Sequence, residues 1–162
     1  MNNLGEYQRL FTRRGTLRLT AALVAFPLGA AAADRAVVSV FKDPNCDCCT
    51  GWVRHLKEAG FAVKVDETTS PNIVRKRLGV PPELTACHTA EVGGYVLEGH
   101  VPVAAVLQLL AKRPKAVGLA VPGMPIGSPG MEGGAPQKYE VVIFGATGQQ
   151  PFMQFVGTKA AS

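Results

Sequence analysis

The sequence of 162 residues predicts an α/β fold, and three observations predict it. Strand-type and helix-type patterns alternate from about residue 36 onward. A Gly93-Gly94 pair sits between two short β-type runs. Three cysteines crowd the first strand-to-helix junction, in DPNCDCCTGW (Asp43 to Trp52).

The elements follow in order. Ala36–Phe41 (AVVSVF) is β-branched and apolar and reads as a buried strand. Pro44 and Asn45 mark a turn. From about Cys48 to Ala59, Trp52, Val53, Leu56 and Ala59 form a stripe at helical spacing, and Gly60 stands where a C-terminal cap belongs. Phe61–Glu67 (FAVKVDE) alternates like a second strand. Ser70-Pro71 opens a short helix with Ile73, Val74 and Leu78 facing inward. Cys87–Val92 and Tyr95–Glu98 read as a hairpin through the two glycines. Pro102–Lys112 is a helix with Val103, Val106, Leu107 and Leu110 on its apolar face, stopped by Pro114. The order β-α-β-α-β-β-α, with a C-x-x-C at its first strand-to-helix junction, predicts a thioredoxin-like domain over residues 34–117.

Residues 118–162 form a C-terminal extension packed on the same domain. Gly118–Gln137 is too rich in Gly and Pro for a helix and is not expected to be a strand. Its prolines, spaced among glycines, predict a loop of defined shape carrying Met124 and Met131. Lys138–Phe155 then reads as a β-hairpin around Gly145–Gln150.

Residues 1–33 read as an export signal. Arg9, Arg13, Arg14 and Arg18 precede an apolar stretch of 15 residues that ends in Ala31-Ala32-Ala33. That stretch is short of the roughly 20 residues a membrane span needs. Thr12–Arg18 (TRRGTLR) is similar to a twin-arginine signal, with a general secretory signal as the alternative. A periplasmic, monomeric chain is expected, with membrane contact only through the signal. Beyond residue 33 there are 13 basic and 11 acidic residues, so the high overall pI partly belongs to the leader. No basic stripe with interleaved aromatics is present, which argues against a nucleic-acid partner.

Four cysteines, Cys46, Cys48, Cys49 and Cys87, carry the chemistry. An even count in an exported chain ordinarily means disulfides. Cys46 and Cys49 have the spacing of a redox pair and are the candidate catalytic residues. Cys48 would then find Cys87 or stay free. Two bridges at one spot would close very short loops, a poor structural staple. A helix N-terminus stabilises thiolates, but three this close repel one another unless a cation sits among them. Clustered thiolates select soft ions. Copper fits best, because Met124 and Met131 are thioethers, which suit Cu(I) far better than Zn(II). Zinc stays open through Cys87-His88.

The remaining candidates read as structural. Met153 and Trp52 belong to the core. His55, nearly two turns past Cys49, reads as a surface or helix-end histidine. Strand alternation turns His88 away from Cys87. His100 precedes a helix and caps it or orders its loop.

Asn45–Leu56 (NCDCCTGWVRHL), Thr85–Ala90 (TACHTA), Glu98–Pro102 (EGHVP) and Gly118–Glu132 (GLAVPGMPIGSPGME) together resemble the CopG-like periplasmic copper-resistance family. The resemblance runs from about Val37 to Val156. It implies a thioredoxin-like domain whose C-terminal extension reaches a cysteine-bridged copper cluster, and a copper oxidoreductase interconverting Cu(I) and Cu(II). It makes Cys46, Cys48, Cys49 and Cys87 the metal ligands, with Met124 and then Met131 from the extension. More than one copper ion per chain is expected, together with periplasmic copper-export or electron-transfer partners. A metal-free thiol–disulfide oxidoreductase, a passive copper or zinc carrier and a structural disulfide domain are the rivals.

Overall fold

The computed structural model describes residues 36–161. The export segment expected over residues 1–33 lies outside the described residues.

Strand β1 (Val38–Lys42) buries Val38, Val40 and Lys42, every second residue, as a strand with one fully covered face does. Helix α1 (Asp47–Glu58) follows after one turn and buries Cys49, Trp52, Val53 and Leu56. That spacing is one face of a helix, and it lays α1 on the sheet. The chain returns as β2 (Val63–Glu67), parallel to β1. Helix α2 (Pro71–Leu78) takes its first turn from Pro71 and ends at Gly79 in the left-handed conformation. A 3-10 turn (Pro82–Leu84) leads to β3 (His88–Val92), antiparallel to β1. Gly93 and Gly94, both at positive φ, make the tight hairpin to β4 (Tyr95–Glu98). Helix α3 (Val103–Lys112) crosses over to β5 (Gly118–Ala120), parallel to β4. Then β6 (Lys138–Gly145), β7 (Gly148–Val156) and β8 (Lys159–Ala161) run antiparallel in turn. All belong to one sheet of order β2-β1-β3-β4-β5-β6-β7-β8.

Alternation splits the buried residues between the two faces. Val38, Val40, Leu97, Leu119, Val141 and Phe155 join Trp52 and Leu56 of α1 and Val106 and Leu109 of α3 in the main core. Val96, Ala120 and Phe144 face the other way, with Val80 and Leu84. Strand β4 is buried along its whole length because both of its faces are covered.

Three expectations are corrected. Gly118–Ala120 is a strand, because β4 on one side and β6 on the other supply the backbone partners that its low propensity does not. Gly118 is required there: a Cβ would stand 1.9 Å from the carbonyl oxygen of Val96. In α3 the covered face is Ala105, Val106 and Leu109, and Leu107 is exposed. The small Ala105 marks the face, where side-chain size had pointed to Leu107. In α2, Ile73 is 71% exposed and the buried residue is Arg75.

Arg75 is turned inward by Glu98. Its Nε donates to Glu98 Oε1 at 2.8 Å, its Nη1 to Asn72 Oδ1 and its Nη2 to the carbonyl of Ala86. The Glu98 carboxylate has no solvent exposure and also accepts from Ala86 N–H (2.7 Å) and Thr89 Oγ1 (2.6 Å). A buried charge stripped of its partner is strongly destabilising, whereas removing both partners costs much less. Arg75→Leu is therefore expected to lose about 3–5 kcal/mol of unfolding free energy. The double variant Arg75→Leu/Glu98→Leu should recover a large part of that loss. Denaturant unfolding followed by the emission of Trp52, the single tryptophan of the chain, checks both.

Candidate metal centre

The site starts where β1 ends. Lys42 is almost fully buried, and its ammonium donates to the carbonyls of Asp43 (2.9 Å) and Pro44 (3.3 Å) while pairing with Glu67 at 3.6 Å. Asp43 Oδ1 accepts from the N–H of Asn45. These bonds fix the turn that delivers Cys46 to the N-cap of α1. Cys46 is extended there (φ −87°, ψ 94°), its sulfur makes no cap bond, and its carbonyl receives the N–H of Thr50.

Cys46 and Cys49 are joined in a disulfide across the first turn of the helix. Cys48 and Cys87 are free and half-buried, whereas Cys49 is fully buried. Cys48 Sγ lies 3.5 Å from Cys46 Sγ and 3.9 Å from Cys87 Sγ. Cys87 Sγ in turn lies 2.9 Å from Met124 Sδ. The sulfurs of Cys46, Cys48 and Cys87 fall within 4.8 Å of one another, the spacing of a set that can hold a metal ion. Five sulfurs thus run in one chain: Cys49, Cys46, Cys48, Cys87, Met124.

Cys87 reaches this point because the residue before it is tied down. The backbone of Ala86 gives its N–H to Glu98 and takes a donor from Arg75. Burial, and then the neighbouring Cys48, push the Cys87 thiol up to about 12. Without a cation the sulfur keeps its proton; a bound metal reverses that preference outright.

The methionine loop is built on backbone contact. Gly130, at φ +86°, lies so close to α1 that a Cβ would stand 2.3 Å from the carbonyl oxygen of Cys48 and 2.7 Å from Trp52 N. A Cβ on Gly51 would stand 2.8 Å from the Cα of Gly130. Internal bonds hold the loop's shape: Ser128 Oγ and N–H both donate to the carbonyl of Pro125, Met131 N–H to Ser128, and Gly127 N–H to Met131. Met124 is 54% exposed and meets Cys87. Met131 is half-buried, and its hydrogen bonds run through its backbone; it is not drawn into the sulfur chain as Met124 is.

The three histidines lie behind the sulfurs. His55 Nε2 accepts from the N–H of Val103 at 3.3 Å and so caps α3; burial lowers its pKa. His88 is fully buried between Trp52 (ring centroids 4.3 Å apart) and His100 (5.0 Å). Burial first, and His100 second, hold its pKa well below the ordinary histidine value. His100, also buried, places Nδ1 2.8 Å from the carbonyl oxygen of Pro129, and burial lowers its pKa too. Lys42, Arg75, Glu98 and the Gly51–Gly130 contact were not singled out in the sequence. The pairings that bury them, Lys42 with Glu67, Arg75 with Glu98 and Gly51 with Gly130, join residues far apart along the chain, so no local pattern announces them.

Residues 84–131 match the family described as "Protein of unknown function, DUF411". No curated protein matches the chain. Two solved structures do, both named Copper resistance protein copG. Form 2 is 41% identical, with a TM-score of 0.71, over 75% of this chain and 98% of that one. Form 1 has the same identity and TM-score over 76% and 99%. The chain belongs to the CopG family of copper resistance proteins.

A CopG-family chain with this donor set suits a soft ion. Thiol and thioether sulfurs are adjacent, among the described residues no carboxylate or imidazole completes the cluster within its 4.8 Å, and soft sulfur selects Cu(I) over harder ions. Among the described residues, no helix is long and apolar enough to cross a membrane.

Gly130→Ala is expected to lift the methionine loop off α1. A left-handed non-glycine residue alone costs about 1–3 kcal/mol, and the clash with the Cys48 carbonyl adds to it. Thermal unfolding should show the loss, and copper affinity should fall with it as Met124 moves away from Cys87.

Proposed function

We propose that this chain is an exported, periplasmic copper-binding protein that interconverts Cu(I) and Cu(II) at its cysteine cluster, in the service of copper resistance. The observation that carries the reading is the run of sulfurs from Cys46 through Cys48 and Cys87 to Met124. Copper is the substrate. The ligands are Cys46, Cys48, Cys49 and Cys87, with Met124 and, on loop movement, Met131. This many sulfurs hold more than one ion, because a thiolate bridges two metals. The strand order β2-β1-β3-β4 and the cysteines at the first strand-to-helix junction support a thioredoxin-like domain over residues 34–117, extended by 118–162. Copper-export or electron-transfer proteins of the same compartment are the proposed partners.

The disulfide gives the redox step its balance. When the thiols of Cys46 and Cys49 join, two electrons and two protons leave. Two Cu(II) ions take one electron each and become Cu(I), which the remaining sulfurs of Cys48, Cys87 and Met124 favour. Run backwards, two Cu(I) ions return the electrons, the S–S bond breaks and both sulfurs take up protons or metal. Two one-electron metal steps are thereby matched to one two-electron sulfur step.

The bonded Cys46–Cys49 pair also favours a second reading, a metal-free thiol–disulfide oxidoreductase. Cys48→Ser separates the two. For the copper protein it should cost about 100-fold or more in Cu(I) affinity, beyond what loss of an outer-shell partner costs. It should leave dithiol exchange by Cys46 and Cys49 intact. Titration of the reduced chain with Cu(I), followed by thiolate-to-copper absorption, is the measurement. Wild type should take more than one copper. A wild type that takes none, while still exchanging disulfides, establishes the second reading.

A further inference from the structure

Among the described residues, three buried ring nitrogens, His88 Nδ1, His88 Nε2 and His100 Nε2, make no hydrogen bond of good geometry, although the Gly99 backbone acts on the His88 ring. Native proteins rarely leave such atoms orphaned, and each one costs the loss of its hydration. Both histidines have no solvent exposure.

The hydrogen bond at His100 settles which nitrogen is which. Pro129 O is a carbonyl and only accepts, so His100 Nδ1 carries the hydrogen. A neutral ring has one N–H, so Nε2 is a bare lone pair. It is buried, without a donor, beside the ring of His88 at 5.0 Å between centroids. A histidine whose Nδ1–H is tied to a backbone carbonyl while Nε2 stands free is in the arrangement that holds a ring for metal binding.

We propose that His100 Nε2 and the ring of His88 form a second, nitrogen-donor copper site, on the inner side of the sulfur cluster. It rests on the copper reading above. The two sites are joined covalently, since Cys87 and His88 are adjacent at the start of β3 and their side chains meet different neighbours. Cys87 meets Cys48 and Met124 on one side; His88 meets Trp52 and His100 on the other. Trp52 is one helical turn beyond Cys48, so the face of its ring closes the pocket. The carbonyl that fixes His100 belongs to the same loop that carries Met124 and Met131. Imidazole is a good copper ligand where a third sulfur is out of reach. An internal water is the competing occupant, since it too would satisfy these atoms.

Trp52 supplies the readout. It is the chain's single tryptophan, fully buried, with its indole N–H held by Val101 O at 2.9 Å and its ring tilted at 40° against that of His88. The purified full chain is reduced without oxygen and titrated with Cu(I). Thiolate-to-copper absorption and Trp52 emission are followed together, and the loaded protein is measured by copper X-ray absorption. Wild type should go on taking copper after the thiolate absorption levels off. That late copper should quench Trp52, and the X-ray spectrum should contain imidazole scattering beside sulfur. His100→Asn keeps a donor for Pro129 O and removes Nε2; it should take up one copper fewer per chain and lose the late quenching. The wild-type spectrum needs no variant, so a folding defect in His100→Asn does not blunt the test. Sulfur-only scattering in wild type, unchanged Trp52 emission, or equal uptake by the variant overturns the proposal, as does a water between the two rings in the copper-loaded protein. If the thiolate absorption forms normally, only the nitrogen site falls. If no copper binds at all, the reading of the sulfur cluster falls with it.

Discussion

Glu98 is a carboxylate with no access to water, and its satisfaction organises the site from beneath. It takes Arg75 from α2, the backbone of Ala86 just before β3, and Thr89 within β3. One side chain of β4 therefore fixes a helix, a neighbouring strand and the residue before Cys87. An ion pair of this kind adds little net stability over a well-packed apolar substitute, and its attested use is to specify one arrangement. Here the arrangement specified is the direction of Cys87. Were the segment from Thr85 to His88 free to shift, the sulfur would lose both Cys48 and Met124, and the cysteines of α1 would be left as an ordinary C-x-x-C.

From above, the site is closed by a backbone contact. Gly51 and Gly130 meet with no side chain between them, so the loop sits as near to the helix N-terminus as a chain can. The same end of α1 gathers the sulfurs. Helix dipole and free N–H groups favour negative charge there, but they do not neutralise several thiolates. Cys87, brought beside them from before β3, is pushed up first by burial and then by the neighbouring Cys48. A thiol held in its protonated form among other sulfurs makes sense when a cation arrives to be bound.

Much of this was legible in the chain order. The first strand, helix and hairpin follow from periodicity and from Gly93-Gly94, and the three clustered cysteines announce soft-metal or redox chemistry. Cys87 Sγ lies beside Cys48 Sγ and Met124 Sδ. What escaped was set by tertiary pairing. Arg75 reads as one more exposed charge on α2 until Glu98, 23 residues on, is placed beside it. Gly118–Ala120 has no strand signal of its own and becomes a strand through its neighbours. Ile73 and Leu107 look like core because they are large, yet the covered positions go to Arg75 and Ala105, where charge pairing and close approach decide. Strand alternation was expected to part His88 from Cys87; the strand in fact begins at His88, Cys87 lies in the bend before it, and the His100 ring that His88 meets was not visible.

At the start of β3 the Cys87-His88 pair divides two chemistries. On one side lies sulfur, half open, next to a disulfide able to accept two electrons. On the other lies nitrogen, fully buried. Sulfur favours Cu(I), while imidazole accepts either oxidation state. Under the proposed copper function, the two kinds of donor stand a short distance apart in one chain. Cys87, in the bend just before β3, and His88, its first residue, provide that with no extra architecture.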